Sequence, residues 1–190
     1  MSGEHAFLPD DNGIAAKGIF GLPFDVEDAR LVVVTAPWEV TVTGRRGTAH
    51  APEQIIESSR EIDLYFPPDG APWQAGIAVD EMPEAFQQNL KLRTITEEMY
   101  LQYESGRITA DADIIQWIDS RNRAFLDQLR ERIKNHAARG KLVAVLGGEH
   151  TVALAGIEAA AAIHGETFGI LQIDAHADLR DRYLGLRYSH

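Results

Sequence analysis

Hydrophobic positions along this chain fall into two kinds of run. Leu31-Val32-Val33-Val34-Thr35-Ala36, Leu142-Val143-Ala144-Val145-Leu146 and Phe168-Gly169-Ile170-Leu171-Gln172-Ile173 are continuous apolar runs, the pattern of strands buried on both faces of a parallel sheet. Pro37 ends the first, and a shorter strand is predicted at Gly76-Ile77-Ala78-Val79. Residues 87–140 are mostly helical in pattern, most clearly where Ile114, Ile115, Ile118, Phe125, Leu129 and Ile133 recur at helical spacing, with Gly140 as the natural stop. Pro52 followed by Glu53-Gln54-Ile55-Ile56-Glu57 predicts a helix with proline in its first turn. The alanine-rich stretch from Thr151 to Ile163 predicts another, so that 142–173 reads strand, helix, strand, a crossover of an α/β fold.

Ahead of the first strand, residues 1–29 carry Pro9, Pro23 and several glycines, and are expected to form an extended arm without a core role. Residues 30–190 are then expected to be the N-terminal part of a single α/β domain. With 29 acidic against 18 basic residues the net charge is −11, which argues against nucleic acid and anionic membranes as partners. No apolar run approaches the length of a membrane span, and the N-terminal residues match neither a signal nor a transit peptide, so the cytoplasm is expected. The chain has no cysteine, which confines any metal site to histidine and carboxylate.

Both later strands end in such residues: Gly147-Gly148-Glu149-His150 after one, Asp174-Ala175-His176-Ala177-Asp178 after the other. Ligands of open α/β sheets bind at the carboxyl ends of strands. In an extended segment Asp174, His176 and Asp178 would leave one face, giving three donors suited to Mn²⁺, Fe²⁺, Ni²⁺ or Zn²⁺, with a carboxylate able to bridge two ions. A satisfied polar cluster is the alternative, and His150 at the neighbouring strand end favours the metal site. Gly147 and Gly148 have a rival reading as a phosphate cradle, but no nucleotide-binding fingerprint or serine-hydrolase elbow occurs. Glu149 is expected either to orient His150 or to be exposed or capping a helix. His190 closes a polar loop whose Arg180, Tyr183 and Arg187 are candidates for the mouth of the site. His5, His50, His136 and His164 are expected to be structural or surface groups.

LGGEH at 146–150 and DAHADLRD at 174–181 resemble the two N-terminal metal motifs of the ureohydrolase superfamily of arginases, agmatinases and formiminoglutamases. The segment at 36–59 is similar to that family's proline, turn, glycine and helix, with His50-Ala51-Pro52 in place of the commoner Gly-Pro form, and the ending is closest to agmatinase-like members. The resemblance implies a three-layer α/β/α fold with a mostly parallel sheet, incomplete in this chain. It also implies two Mn²⁺ (or Ni²⁺ or Fe²⁺), one bound by His150 and Asp178 and the other by His176, with Asp174 bridging them. His190 would match the proton-shuttling histidine. A later aspartate motif and a guanidinium-binding glutamate of the family do not occur in these 190 residues, so the chain is expected to be the first part of a longer enzyme.

The implied activity is hydrolysis of a guanidino group by water activated between two metals, with agmatine going to putrescine and urea in polyamine biosynthesis. A histidine titrating near neutrality suits protonation of the leaving amine, and that role falls to His190. Arginine, guanidinobutyrate, guanidinopropionate, guanidine or formiminoglutamate are alternative substrates, and a catalytically incomplete partner subunit is the alternative of another class. The resemblance further implies a homo-oligomer, trimeric or hexameric.

Overall fold

The computed structural model describes residues 18–64, 70–106, 111–165 and 167–189. Its centre is β1 (Leu31–Ala36), flanked by β2 (Ile77–Asp80) and β3 (Leu142–Gly147) in a parallel sheet ordered β2-β1-β3. Leu31 pairs with Ile77 on one side and Leu142 on the other, and the second ladder runs to Ala36 opposite Gly147. Strand alternation divides β1 between two cores. Val32, Val34 and Ala36 point into the larger one with α2 (Pro83–Glu104), α3 (Ala112–Ala138) and α4 (Ala153–His164). Val33 points the other way, against Ile56 of α1 (Ala51–Ser58) and Ile19. Helices therefore cover both faces, which is the expected α/β/α layering. Among the described residues no helix is long and apolar enough to cross a membrane.

The helix after β1 and the helix after β3 lie on opposite faces of adjacent strands. That arrangement opens a crevice at the carboxyl ends of β1 and β3. Asp111 caps α3 by accepting from the Asp113 backbone N–H at 2.8 Å, and Gly140 ends the helical region at φ 77. Trp38, just beyond β1, stacks on Phe125 with ring centroids 4.1 Å apart and donates its indole N–H to Asn122 at 2.7 Å. A single aromatic pair thus joins the end of β1 to the middle of α3.

Two expectations are corrected. Part of the N-terminal arm enters the core: Ile19 and Leu22 are buried, Ile19 because it fills the face of the sheet that the short helix α1 leaves open. The strand expected at 168–173 does not form; Ile170, Leu171 and Ile173 are 61%, 87% and 92% exposed. A strand exists only by pairing, and β3 has β1 as its one ladder partner among the described residues.

Candidate metal centre

The loop after β3 turns sharply because Gly148 adopts φ 70. A Cβ there would lie 2.4 Å from the Ala36 carbonyl oxygen and 2.6 Å from that of Trp38, so only glycine permits the approach. The Gly148 and Glu149 N–H groups donate to the carbonyls of Thr48 and Trp38. These donors are spent inside the protein, which removes the phosphate-cradle reading. The turn delivers His150 to the crevice at the end of β3.

There His150 Nδ1 stands 2.6 Å from Asp178 Oδ2 and 3.5 Å from Asp174 Oδ2. One donor atom from each of His150, Asp174 and Asp178 falls within 4.8 Å of the others, a spread that a single divalent cation can draw together. His176 is not in this group. Its side chain is 82% exposed, with Nδ1 3.7 Å from the other Asp174 oxygen, Oδ1, which accepts the His176 backbone N–H at 2.8 Å. That hydrogen bond, followed by the electrostatic influence of the two histidines, holds the Asp174 carboxyl below the usual aspartate range. Asp174 thus presents one oxygen to each histidine. The single-face geometry expected for residues 174, 176 and 178 is corrected: the segment bends at Ala175 and His176 instead of running extended, so Asp174 and Asp178 still converge while His176 turns out to solvent.

An open cavity of about 670 Å³ is lined by His150, Asp174, His176, Asp178, Leu179, Arg180 and Ser189. Arg180 thus reaches the cavity, its guanidinium 4.9 Å over the Tyr183 ring; Tyr183 and Arg187 do not line it. His190 lies outside the described residues, as does His5. His50 packs edge-on against Phe86, His136 bonds Asp80 at 2.8 Å, and exposed His164 ends α4.

Glu149 departs from both expectations held for it. It is buried, and its carboxyl faces Thr41, with Thr41 N 3.0 Å from Oε2 and Thr41 Oγ1 2.8 Å from Oε1. Burial pushes this carboxyl up to about 8, against the lowering effect of the Thr41 hydrogen bonds. Thr41 Oγ1 also lies 2.9 Å from the Tyr188 carbonyl oxygen.

Sequence reasoning also passed over the residues that hold the Trp38–Val42 loop. Asn89 Oδ1 accepts Glu39 N at 2.6 Å, Thr96 Oγ1 donates to Val40 O at 2.6 Å, Tyr100 Oη donates to Thr41 O at 3.0 Å, and Arg93 donates to Val42 O. All four lie on one face of α2 at spacings of four, three and four, and their helical spacing was the available signal. Burial pushes the Tyr100 phenol up to about 12 and keeps it a donor. Glu39 closes the next turn by accepting from Gly47 N, Ala49 N and the Thr48 hydroxyl.

The Arginase family model matches residues 29–190. The chain is 26% identical over 163 residues to N(1)-aminopropylagmatine ureohydrolase of Synechocystis sp., covering 86% of this chain and 45% of that protein. It is 27% identical over 164 residues to the protein of the same name from Thermus thermophilus, with the same coverage of 86% and 45%. Similarity extends to the agmatinase of Blochmanniella floridana, 27% identical over 150 residues, 79% of this chain and 40% of the relative. The chain thus spans less than half the length of these relatives. A match that covers β1, β3 and both polar clusters, at 147–150 and 174–178, places the chain in the arginase family.

Proposed function

We propose that the protein containing this chain is a metal-dependent ureohydrolase that cleaves the guanidino group of a small cationic amine, agmatine or an N-substituted agmatine. The observation that carries this reading is the convergence of His150, Asp174 and Asp178 at the carboxyl end of β3, beside an open cavity. Imidazole and carboxylate without thiolate fit Mn²⁺, Ni²⁺ or Fe²⁺. His150 and Asp178 would hold one ion, His176 a second, and Asp174, with an oxygen toward each histidine, would bridge them. Bound metal would supply a nucleophilic hydroxide at neutral pH by lowering the pKa of water.

The chain's own residues do the remaining work. The carboxylates concentrate negative charge where a guanidinium must enter, and His190 is assigned protonation of the departing amine. The names of the relatives favour an agmatine-type substrate, with guanidino acids and arginine as the next candidates. A trimer or hexamer in the cytoplasm is the accompanying expectation, checked by light scattering and by fractionation.

The test is urea release by the complete gene product with Mn²⁺, from agmatine, N1-aminopropylagmatine, guanidinobutyrate and arginine in parallel. Asp174→Asn should abolish turnover and lower bound metal by elemental analysis. Wild-type protein that holds metal yet releases no urea from any of the four would sink the proposal.

A further inference from the structure

Between the metal-type donors and segment 179–189 lies a set of hydrogen bonds that the proposed chemistry does not use. Thr41 is fully buried, and its Oγ1 approaches the Tyr188 carbonyl oxygen at 2.9 Å. Thr151, the residue after His150, donates its hydroxyl to the same oxygen at 2.5 Å. Tyr188 O therefore meets one hydroxyl from the loop after β1 and another from the turn after β3. Ser189 Oγ lies 3.5 Å from Thr41 O.

The preceding part of the segment is held as well. Leu186 is fully buried in the main core, and Tyr183 and Leu186 exchange backbone hydrogen bonds at 3.0 and 2.9 Å. Asp119 of α3 accepts the Arg187 N–H at 3.1 Å and 3.3 Å. One donor would satisfy this part-buried carbonyl. A second, coming from a different strand end, removes the freedom of Tyr188 to shift relative to His150. Ser189, next in the chain, lines the same cavity as His150, Asp174 and Asp178.

We propose that Thr41 and Thr151 are positioning residues that clamp the Tyr188–Ser189 backbone to the two strand ends and so fix one wall of the reaction cavity against the metal-type donors. This rests on the ureohydrolase reading for its catalytic consequence and on the hydrogen bonds alone for its structural one. The hydroxyls touch no reacting atom. Losing either hydroxyl leaves Tyr188 O with the other; Thr41→Val also takes a hydroxyl from the buried Glu149 carboxyl, whereas Thr151→Val removes the bond to Tyr188 O, so the two variants separate a loosened wall from a disturbed Glu149. Displacement of about 1 Å at a reaction site costs on the order of 100-fold in rate.

The experiment compares Thr41→Val and Thr41→Ser in the Mn²⁺-loaded, full-length protein with agmatine as probe. In the valine variant kcat should fall about 10- to 100-fold with KM changed less than about 2-fold and bound Mn²⁺ retained. Amide hydrogen exchange across 183–189 should quicken by about 10-fold, and serine should restore both readouts. Unchanged exchange, unchanged kcat despite faster exchange, or a serine variant as impaired as valine would each overturn the proposal. Thr151→Val carries the same test should Thr41→Val fail to fold. A wild-type protein inactive on every guanidino compound refutes the ureohydrolase reading, and the exchange measurement then decides the clamp by itself.

Discussion

Helices α2 and α3 lie in the same layer, yet they bury opposite chemistries. α3 turns Ile118, Phe125, Leu126, Leu129 and Ile133 inward, with Asn122 there to receive the Trp38 indole. α2 turns Asn89, Arg93 and Thr96 inward alongside Leu92, Met99 and Tyr100. The first packs side chain against side chain beneath the sheet. The second reads the backbone of the loop after β1, residue by residue from Glu39 to Val42. That loop cannot satisfy its peptide groups in the sheet, so a helix with polar side chains at helical spacing does it instead. Apolar burial sets how stable the domain is, while the polar ladder sets where Thr41 and hence the cavity wall stand.

The largest test of this contrast is Phe125→Ala, which removes the ring stacked on Trp38 and should cost about 4 kcal/mol in urea unfolding. A loss below about 1 kcal/mol would mean that α3 is not the principal packing helix. Next is Asn89→Ala: the buried Glu39 N–H loses its acceptor, for a cost of about 2 kcal/mol by the same assay. Tyr100→Phe keeps the ring and leaves Thr41 O without the phenol, so about 1 kcal/mol is expected, with faster amide exchange confined to residues near 41 as its signature.

The smallest effect concerns the α3–α4 contact on the protein's exterior. Arg123 pairs with Glu158 and with Asp127, and Arg130 adds to both. Hydrogen bonds from Arg123 hold the Glu158 and Asp127 carboxyls below their ordinary values. A depressed carboxyl contributes stability that is present above its unfolded pKa of about 4 and lost as pH falls through the folded value. Both side chains are partly exposed, so the loss should stay under about 1 kcal/mol. Thermal melts from pH 7 to pH 3 should show a shallower acid decline in Arg123→Gln; an identical decline would remove the pair from the account.

Legibility in the sequence followed the kind of interaction. The β1 and β3 strands and α3 were readable because burial of apolar side chains leaves a periodicity in the residues themselves. The polar face of α2 was not, since Asn89, Arg93 and Thr96 look like solvated positions until the loop they serve is in place. Glu149 misled for the same reason: beside His150 in sequence, it turns away to Thr41. At 168–173 the apolar run was real and the strand absent, because ladder formation depends on a neighbour and not on the run.

The sequence by itself determined the α/β class, the polar residues that follow β3, and the donor types available for a metal, since these follow from periodicity, the order of elements and side-chain chemistry. Only the tertiary structure decided that His150 meets Asp174 and Asp178 while His176 stands apart, and that Thr41 joins the two strand ends to Tyr188. The first depends on a bend at Ala175 and His176, and the second on contacts between residues more than a hundred positions apart. Neither leaves a local pattern in the chain.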